Sequence, residues 1–115
     1  MEFGCYTREL RQQRNGVNRR YSIRQLAQRI GVGPTYLSRI ERGDITPSEE
    51  MIQRLAAELG EDADVLLARA GRIASDISGI IARRPVLFAE LIRGLNEMGD
   101  EALMEVVCKV RNGEW

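Results

Sequence analysis

Residues 22–43 read SIRQLAQRIGVGPTYLSRIERG, and their spacing decides the fold. Ile23, Leu26, Ala27 and Ile30 recur at helical intervals and form one apolar face, with Arg24, Gln25, Gln28 and Arg29 mostly outside. Ser22 is a good N-cap for that helix. Gly31 stops it, and Val32 follows as an apolar plug. Pro34 suits the first position of the next helix, where its missing N–H costs nothing. Leu37 and Ile40 give the second helix its inward face, and Gly43 closes it. The stretch therefore reads as two short amphipathic helices about a tight turn.

The pattern outward from it stays helical. Tyr6, Leu10 and Gln13 lie at helical spacing within Tyr6–Arg14, and Asn15-Gly16 is expected to end that helix. Val17 to Tyr21 is predicted as a loop holding Arg19 and Arg20. After a loop at Asp44–Thr46, Pro47-Ser48-Glu49-Glu50 opens a fourth helix with acids at its positive end. Met51, Ile52, Leu55, Ala56 and Leu59 supply its stripe, and Gly60 ends it. Asp62 can cap a short fifth helix carrying Val65, Leu66 and Leu67, closed by Gly71. Three more helices are predicted beyond: one with Ile73, Ile77, Ile80 and Ile81, broken before Pro85. The next carries Leu87, Phe88, Leu91, Ile92, Leu95 and Met98, and the last Leu103, Val106, Val107 and Val110. No strand pattern or repeat is present.

Composition narrows the function. No apolar run nears the ~18 residues of a membrane span, and the first residues lack a signal core, so a cytoplasmic protein without membrane attachment is expected. Cys5 and Cys108 have no metal-binding spacing, and histidine is absent, which removes the commonest general base and metal ligand. No catalytic residue, metal or cofactor is expected, and an enzyme is not. Net charge is zero but unevenly spread: residues 1–45 carry nine arginines against four acids, leaving the rest of the chain correspondingly acidic. A basic half joined to an acidic half points to a polyanionic partner on one side.

Residues 10–67 resemble the Cro/repressor-like, or XRE, helix-turn-helix family. The resemblance rests on Leu10, Arg11 and Arg14, on Leu26-Ala27, Ile30-Gly31-Val32, Leu37 and Ile40, on Glu41-Arg42-Gly43, on Pro47-Ser48, and on Leu55-Ala56 with Leu59. It implies an all-α fold: a five-helix lambda-repressor-like DNA-binding domain over residues 1–70, then a three-helix C-terminal region, 71–115. Ala27 is small because the two motif helices cross there. The apolar lock leaves Pro34, Thr35, Ser38, Arg39 and Arg42 on the outward face of the second helix, the element such motifs lay in the major groove. The implied base readers are Pro34, Thr35, Ser38 and Arg39, with Arg39 first, bidentate to guanine. Arg19, Arg20, Ser22, Arg24, Tyr36 and Arg42 are the implied phosphate contacts. Arg14 and Glu41 are implied to form an ion pair. Gly33 replaces the usual hydroxyl cap, Pro34 a polar reader, and Ile23 a glutamine that grips phosphate. The loop before Ser22 is about two residues longer than usual.

The region after Gly71 has about 45 residues, no staple, and a large apolar complement, so a partner is expected to bury it. Ile77, Ile80, Ile81, Leu87, Leu91, Leu95, Val106, Val110 and Trp115 are the expected homodimer interface. The resulting expectation is a homodimeric transcriptional regulator, most simply a repressor, on a palindromic operator in double-stranded DNA. The alternative is an antitoxin-type protein whose C-terminal helices hold a toxin while the N-terminal domain autoregulates its operon. An antirepressor or a protease is a further candidate partner, because the chain has no room for a self-cleaving domain.

Overall fold

A computed structural model describes residues 2–114 and is helical throughout. Its helices are α1 (Phe3–Asn18), α2 (Ile23–Ile30), α3 (Pro34–Glu41), α4 (Glu49–Leu59), α5 (Ala63–Arg69), α6 (Ser75–Arg83), α7 (Pro85–Leu95) and α8 (Asp100–Asn112). No helix among the described residues is long and apolar enough to cross a membrane. The chain divides into two compact units, residues 1–74 and 75–115.

The first unit holds α1–α5 around one core. Leu26, Ala27, Leu37, Ile40, Ile52, Leu55 and Leu66 are wholly buried, with Ile30, Leu59 and Leu67 nearly so. Each large aliphatic side chain removed from water there contributes about 1.5–3 kcal/mol. Ala74 is also buried in this core, so the first unit extends past Gly71. Val65 lies 40% exposed, while its neighbours Leu66 and Leu67 take the inward positions of α5.

Local chemistry sets the helix ends. Ser22 and Gln25 form a reciprocal capping box at the start of α2: the Ser22 hydroxyl accepts from the Gln25 N–H at 3.1 Å, and the Gln25 side chain accepts from the Ser22 N–H at 3.2 Å. Gly31 ends α2 at φ +82°, a left-handed conformation that side chains resist. That reversal lets the Val32 N–H reach the Ala27 carbonyl at 2.9 Å and turns the chain into α3.

Helix α1 is longer than its sequence suggested. It begins at Phe3 and runs through Asn15-Gly16 to Asn18, where Arg19 adopts the left-handed cap at φ 62°. Asn15 does not cap the helix, because its Oδ1 accepts from the Tyr21 N–H at 3.0 Å. Asn18 Oδ1 likewise accepts from the Arg20 N–H. Both asparagines thus fasten the following loop.

At its other end α1 meets α3 closely. A Cβ on Gly4 would lie 2.6 Å from the carbonyl oxygens of both Ile40 and Glu41. Only glycine permits this contact, which seats the first turn of α1 against the last carbonyls of α3. Thr7 is wholly buried one turn on, its hydroxyl donating to the Phe3 carbonyl at 2.9 Å.

The second unit comprises α6–α8. Ile73 falls before α6 and outside this unit, and is 59% exposed. No described residue of the unit is buried. A cleft of about 440 Å³ is lined by Leu91, Leu95, Leu103, Val106, Val107, Val110 and Arg111. Trp115, expected at the dimer interface, lies outside the described residues.

Candidate nucleic-acid interface

Helix α3 exposes Pro34, Thr35, Tyr36 and Arg39, with Ser38 half-buried and Arg42 exposed just beyond the helix; of these, Thr35 and Arg39 lie opposite Leu37 and Ile40. Thr35, Ser38 and Arg39 make no side-chain hydrogen bond or ion pair among the described residues. Their donors and acceptors are therefore available to a ligand. Gly33 offers no capping side chain, and Pro34 fills the first position as expected.

Beneath this face lies a buried ion pair. Glu41 is paired with Arg11, not with Arg14: Arg11 Nε donates to Oε2 at 2.7 Å and Nη2 to Oε1 at 3.0 Å. Both side chains are at most 10% exposed. The contact of Gly4 with Glu41 explains the choice, since it brings the first half of α1 to the end of α3. Arg14 lies one turn further along. There its Nε donates to the Leu59 carbonyl at 2.9 Å, satisfying a terminal carbonyl of α4.

The loop before α2 is held from several sides. Arg11 Nη1 donates to the Tyr21 carbonyl at 3.2 Å. Arg29 donates to the Arg20 carbonyl at 2.6 Å and to Glu58 at 3.0 Å, with its guanidinium 4.7 Å from the centre of the Tyr21 ring. Arg29 is thus an anchor of the loop that displays Arg19 and Arg20. The sequence pattern places it only among the outward residues of α2. Its spacing carried no signal of that role, because the contacts are to backbone and to α4. Arg19, Arg20 and Arg24 are exposed, and their guanidinium groups have no partner among the described residues. The Ser22 oxygen accepts the capping bond, which leaves its O–H to donate elsewhere. Arg42 is loosely paired with Asp44 at 3.2 Å, both well exposed, an interaction worth at most about 1 kcal/mol.

Away from this face, Tyr6 ties α1 to the α4–α5 junction. Its hydroxyl donates to Glu61 at 2.5 Å, and Arg69 lies 4.6 Å from its ring centre. That hydrogen bond, followed by one from the Asp62 N–H, holds the Glu61 carboxyl below its usual range. The same bond, then burial, pushes the Tyr6 hydroxyl upward.

Residues 10–66 match the helix-turn-helix family model. The chain belongs to the XRE-type helix-turn-helix family. Its helix-turn-helix domain is a DNA-binding module, with α2 and α3 as the motif. Two strains of Mycobacterium tuberculosis carry a relative named only as an uncharacterized HTH-type transcriptional regulator. It is 48% identical over 50 residues, or 44% of this chain and 36% of the relative. The match thus spans little more than a third of that relative's length. The crystal structure of the clp gene regulator ClgR from Corynebacterium glutamicum is similar at a TM-score of 0.51 and 27% identity, covering 81% of this chain and 85% of that one.

Proposed function

We propose that this protein is a transcriptional repressor that binds a palindromic operator as a homodimer. The carrying observation is that the exposed face of α3 holds unpaired readers over a rigid base. Thr35, Ser38 and Arg39 make no side-chain hydrogen bond or ion pair among the described residues, whereas Arg11 and Glu41 are paired with each other above a buried core. In this reading Arg39 pairs with a guanine, and Pro34, Thr35 and Ser38 meet neighbouring bases. Arg19, Arg20, Ser22, Arg24, Tyr36 and Arg42 hold phosphates and set register. Occupying a promoter then blocks transcription sterically.

The second unit supports the dimer. Units of about 40 residues rarely sustain a core alone, and ten of its large apolar side chains are at least 37% exposed. Pairing two copies through Ile77, Ile80, Ile81, Leu87, Leu91, Leu95, Val106 and Val110 would bury them. Two-fold symmetry would set the α3 helices about one DNA turn, ~34 Å, apart.

The test is selection of binding sites from a random duplex library by the full chain, with sedimentation of the free protein. Recovery of inverted repeats by a dimeric protein, with Arg39→Ala erasing the preference, supports the proposal. A monomer that gains order only with another protein overturns the homodimer in favour of the antitoxin-type reading.

A further inference from the structure

Beside the reader face lies a cleft of about 200 Å³, several times the ~30 Å³ of one water in the liquid. It is lined by Arg8 and Arg11 of α1, by Ile23 at the start of α2, and by Ser38, Glu41 and Arg42. Its charges are unequal. Glu41 is spent on Arg11 in a two-pronged pair. Arg42 is partly offset by exposed Asp44. Arg8 is exposed and has no hydrogen bond or ion pair among the described residues, and the Ser38 hydroxyl has none either. At the Ile23 edge, the Ser22 cap takes only the Gln25 N–H. The first-turn N–H groups of Ile23 and Arg24 are left without an intrahelical acceptor.

We propose that this cleft seats one backbone phosphate of the bound DNA, with Arg8 as its direct donor. Arg42 adds its charge when it turns from Asp44. Helix α1 then becomes a third contributor to the interface, through a residue outside the helix-turn-helix motif. The proposal rests on the reading of α3 as the DNA-facing helix. Ser38 and Arg42 border both the cleft and the reader face, so a duplex lying on α3 brings its sugar–phosphate edge across the cleft. Glu41 does not oppose an anion, because Arg11 neutralises it. A free phosphate ion shares the required chemistry, and the test separates the two sources.

The experiment uses the full chain and a site selected by it from a random duplex library, beside a scrambled duplex. Arg8→Gln keeps a good helix former at an exposed position, so circular dichroism should be unchanged. Arg8→Gln should weaken both duplexes by a similar factor, on the order of three- to tenfold. It should also flatten the salt slope by about one per protomer bound. Ethylation of one phosphate in each half-site should impede the wild type and lose that effect in Arg8→Gln. Unchanged affinity, slope and ethylation pattern in Arg8→Gln, with Arg39→Ala still erasing site preference, would overturn the cleft and leave the α3 reading intact. If Arg39→Ala changes nothing either, the α3 reading itself fails. If inorganic phosphate binds the free wild-type protein but not Arg8→Gln in calorimetry, while Arg8→Gln leaves DNA affinity, salt slope and ethylation pattern unchanged, the cleft is a small-anion site and the proposal is overturned.

Discussion

Replacing Gly4 by alanine isolates the contact that positions α3 against α1. The added Cβ would stand 2.6 Å from two backbone oxygens, those of Ile40 and Glu41, and 3.0 Å from the Glu41 carbonyl carbon. These atoms belong to the last turn of α3 and cannot swing aside as a side-chain tip could. Relief needs a separation of roughly 0.6–0.8 Å between α1 and α3, and overpacking of this kind costs about 1–3 kcal/mol. Against it stands the helix propensity gained on replacing glycine, at most about 1 kcal/mol and smaller in a first turn. The net expectation is destabilisation of about 0.5–2 kcal/mol. Gly16→Ala is the control: it lies in the same helix and nothing stands within 4 Å of its would-be Cβ. That change should stabilise the protein by about 0.5–1 kcal/mol. Urea midpoints followed by circular dichroism would report both. Gly4→Ala should also weaken the selected DNA site more than scrambled DNA, since it displaces the end of α3 that carries Arg39. A Gly4→Ala protein as stable as Gly16→Ala would refute the reasoning.

Three further outcomes are expected. Glu41→Ala leaves the Arg11 guanidinium buried without its carboxylate and should cost about 3–5 kcal/mol in urea denaturation, whereas the pair Arg11→Met with Glu41→Leu should recover much of it. Asp44→Asn removes the acid beside Arg42 and should tighten binding to all duplexes a few-fold in a fluorescence anisotropy titration, with site preference unchanged. The Tyr6–Glu61 bond contributes stability above the unfolded carboxylate pKa, lost as pH falls through the lowered folded value. At the other end, the raised Tyr6 value means the contribution is lost as pH rises through it. NMR titration of Tyr6→Phe should find the Glu61 pKa moved upward, and an unmoved value would deny the bond its role.

The helix-turn-helix was legible because its signals are local. Gly31 requires a positive φ, Pro34 starts a helix, and the periodic Leu26, Ile30, Leu37 and Ile40 all reached the core. The Glu41 partner was not legible. Arg11 and Arg14 sit three residues apart on one helix, and the choice between them depends on where α1 meets α3. That point is set by Gly4, whose role appears only when Ile40 and Glu41 come beside it. The end of α1 was misread for a related reason: Asn15 has the chemistry of a helix stop, yet its side chain serves the Tyr21 N–H. The same distance effect hid Arg8, fifteen residues before Ile23, which shares its cleft. In the second unit the apolar periodicity marks helices, but the same pattern arises whether a face meets its own chain or another.

Among the arginines of residues 1–45, two kinds stand apart. Arg11, Arg14 and Arg29 spend their donors inside the protein, on Glu41, on the Leu59 carbonyl, and on the Arg20 carbonyl with Glu58. Arg8, Arg19, Arg24 and Arg39 have no such partner among the described residues. The first set fixes α1, α4 and the basic loop relative to α3, so the second set is displayed from a rigid frame. On the proposed function rigidity matters, because each of these side chains would have to meet a base edge or phosphate within hydrogen-bond distance, and a flexible frame would lose binding free energy to ordering. Charge alone does not separate the two kinds: all are arginines in one basic half of the chain. What separates them is the acceptor each can reach in the fold: Glu41 for Arg11, the Leu59 carbonyl for Arg14, and Glu58 with the Arg20 carbonyl for Arg29. Gly4 bears on the first of these partnerships, because its close approach to Ile40 and Glu41 puts Arg11 within reach of the Glu41 carboxylate.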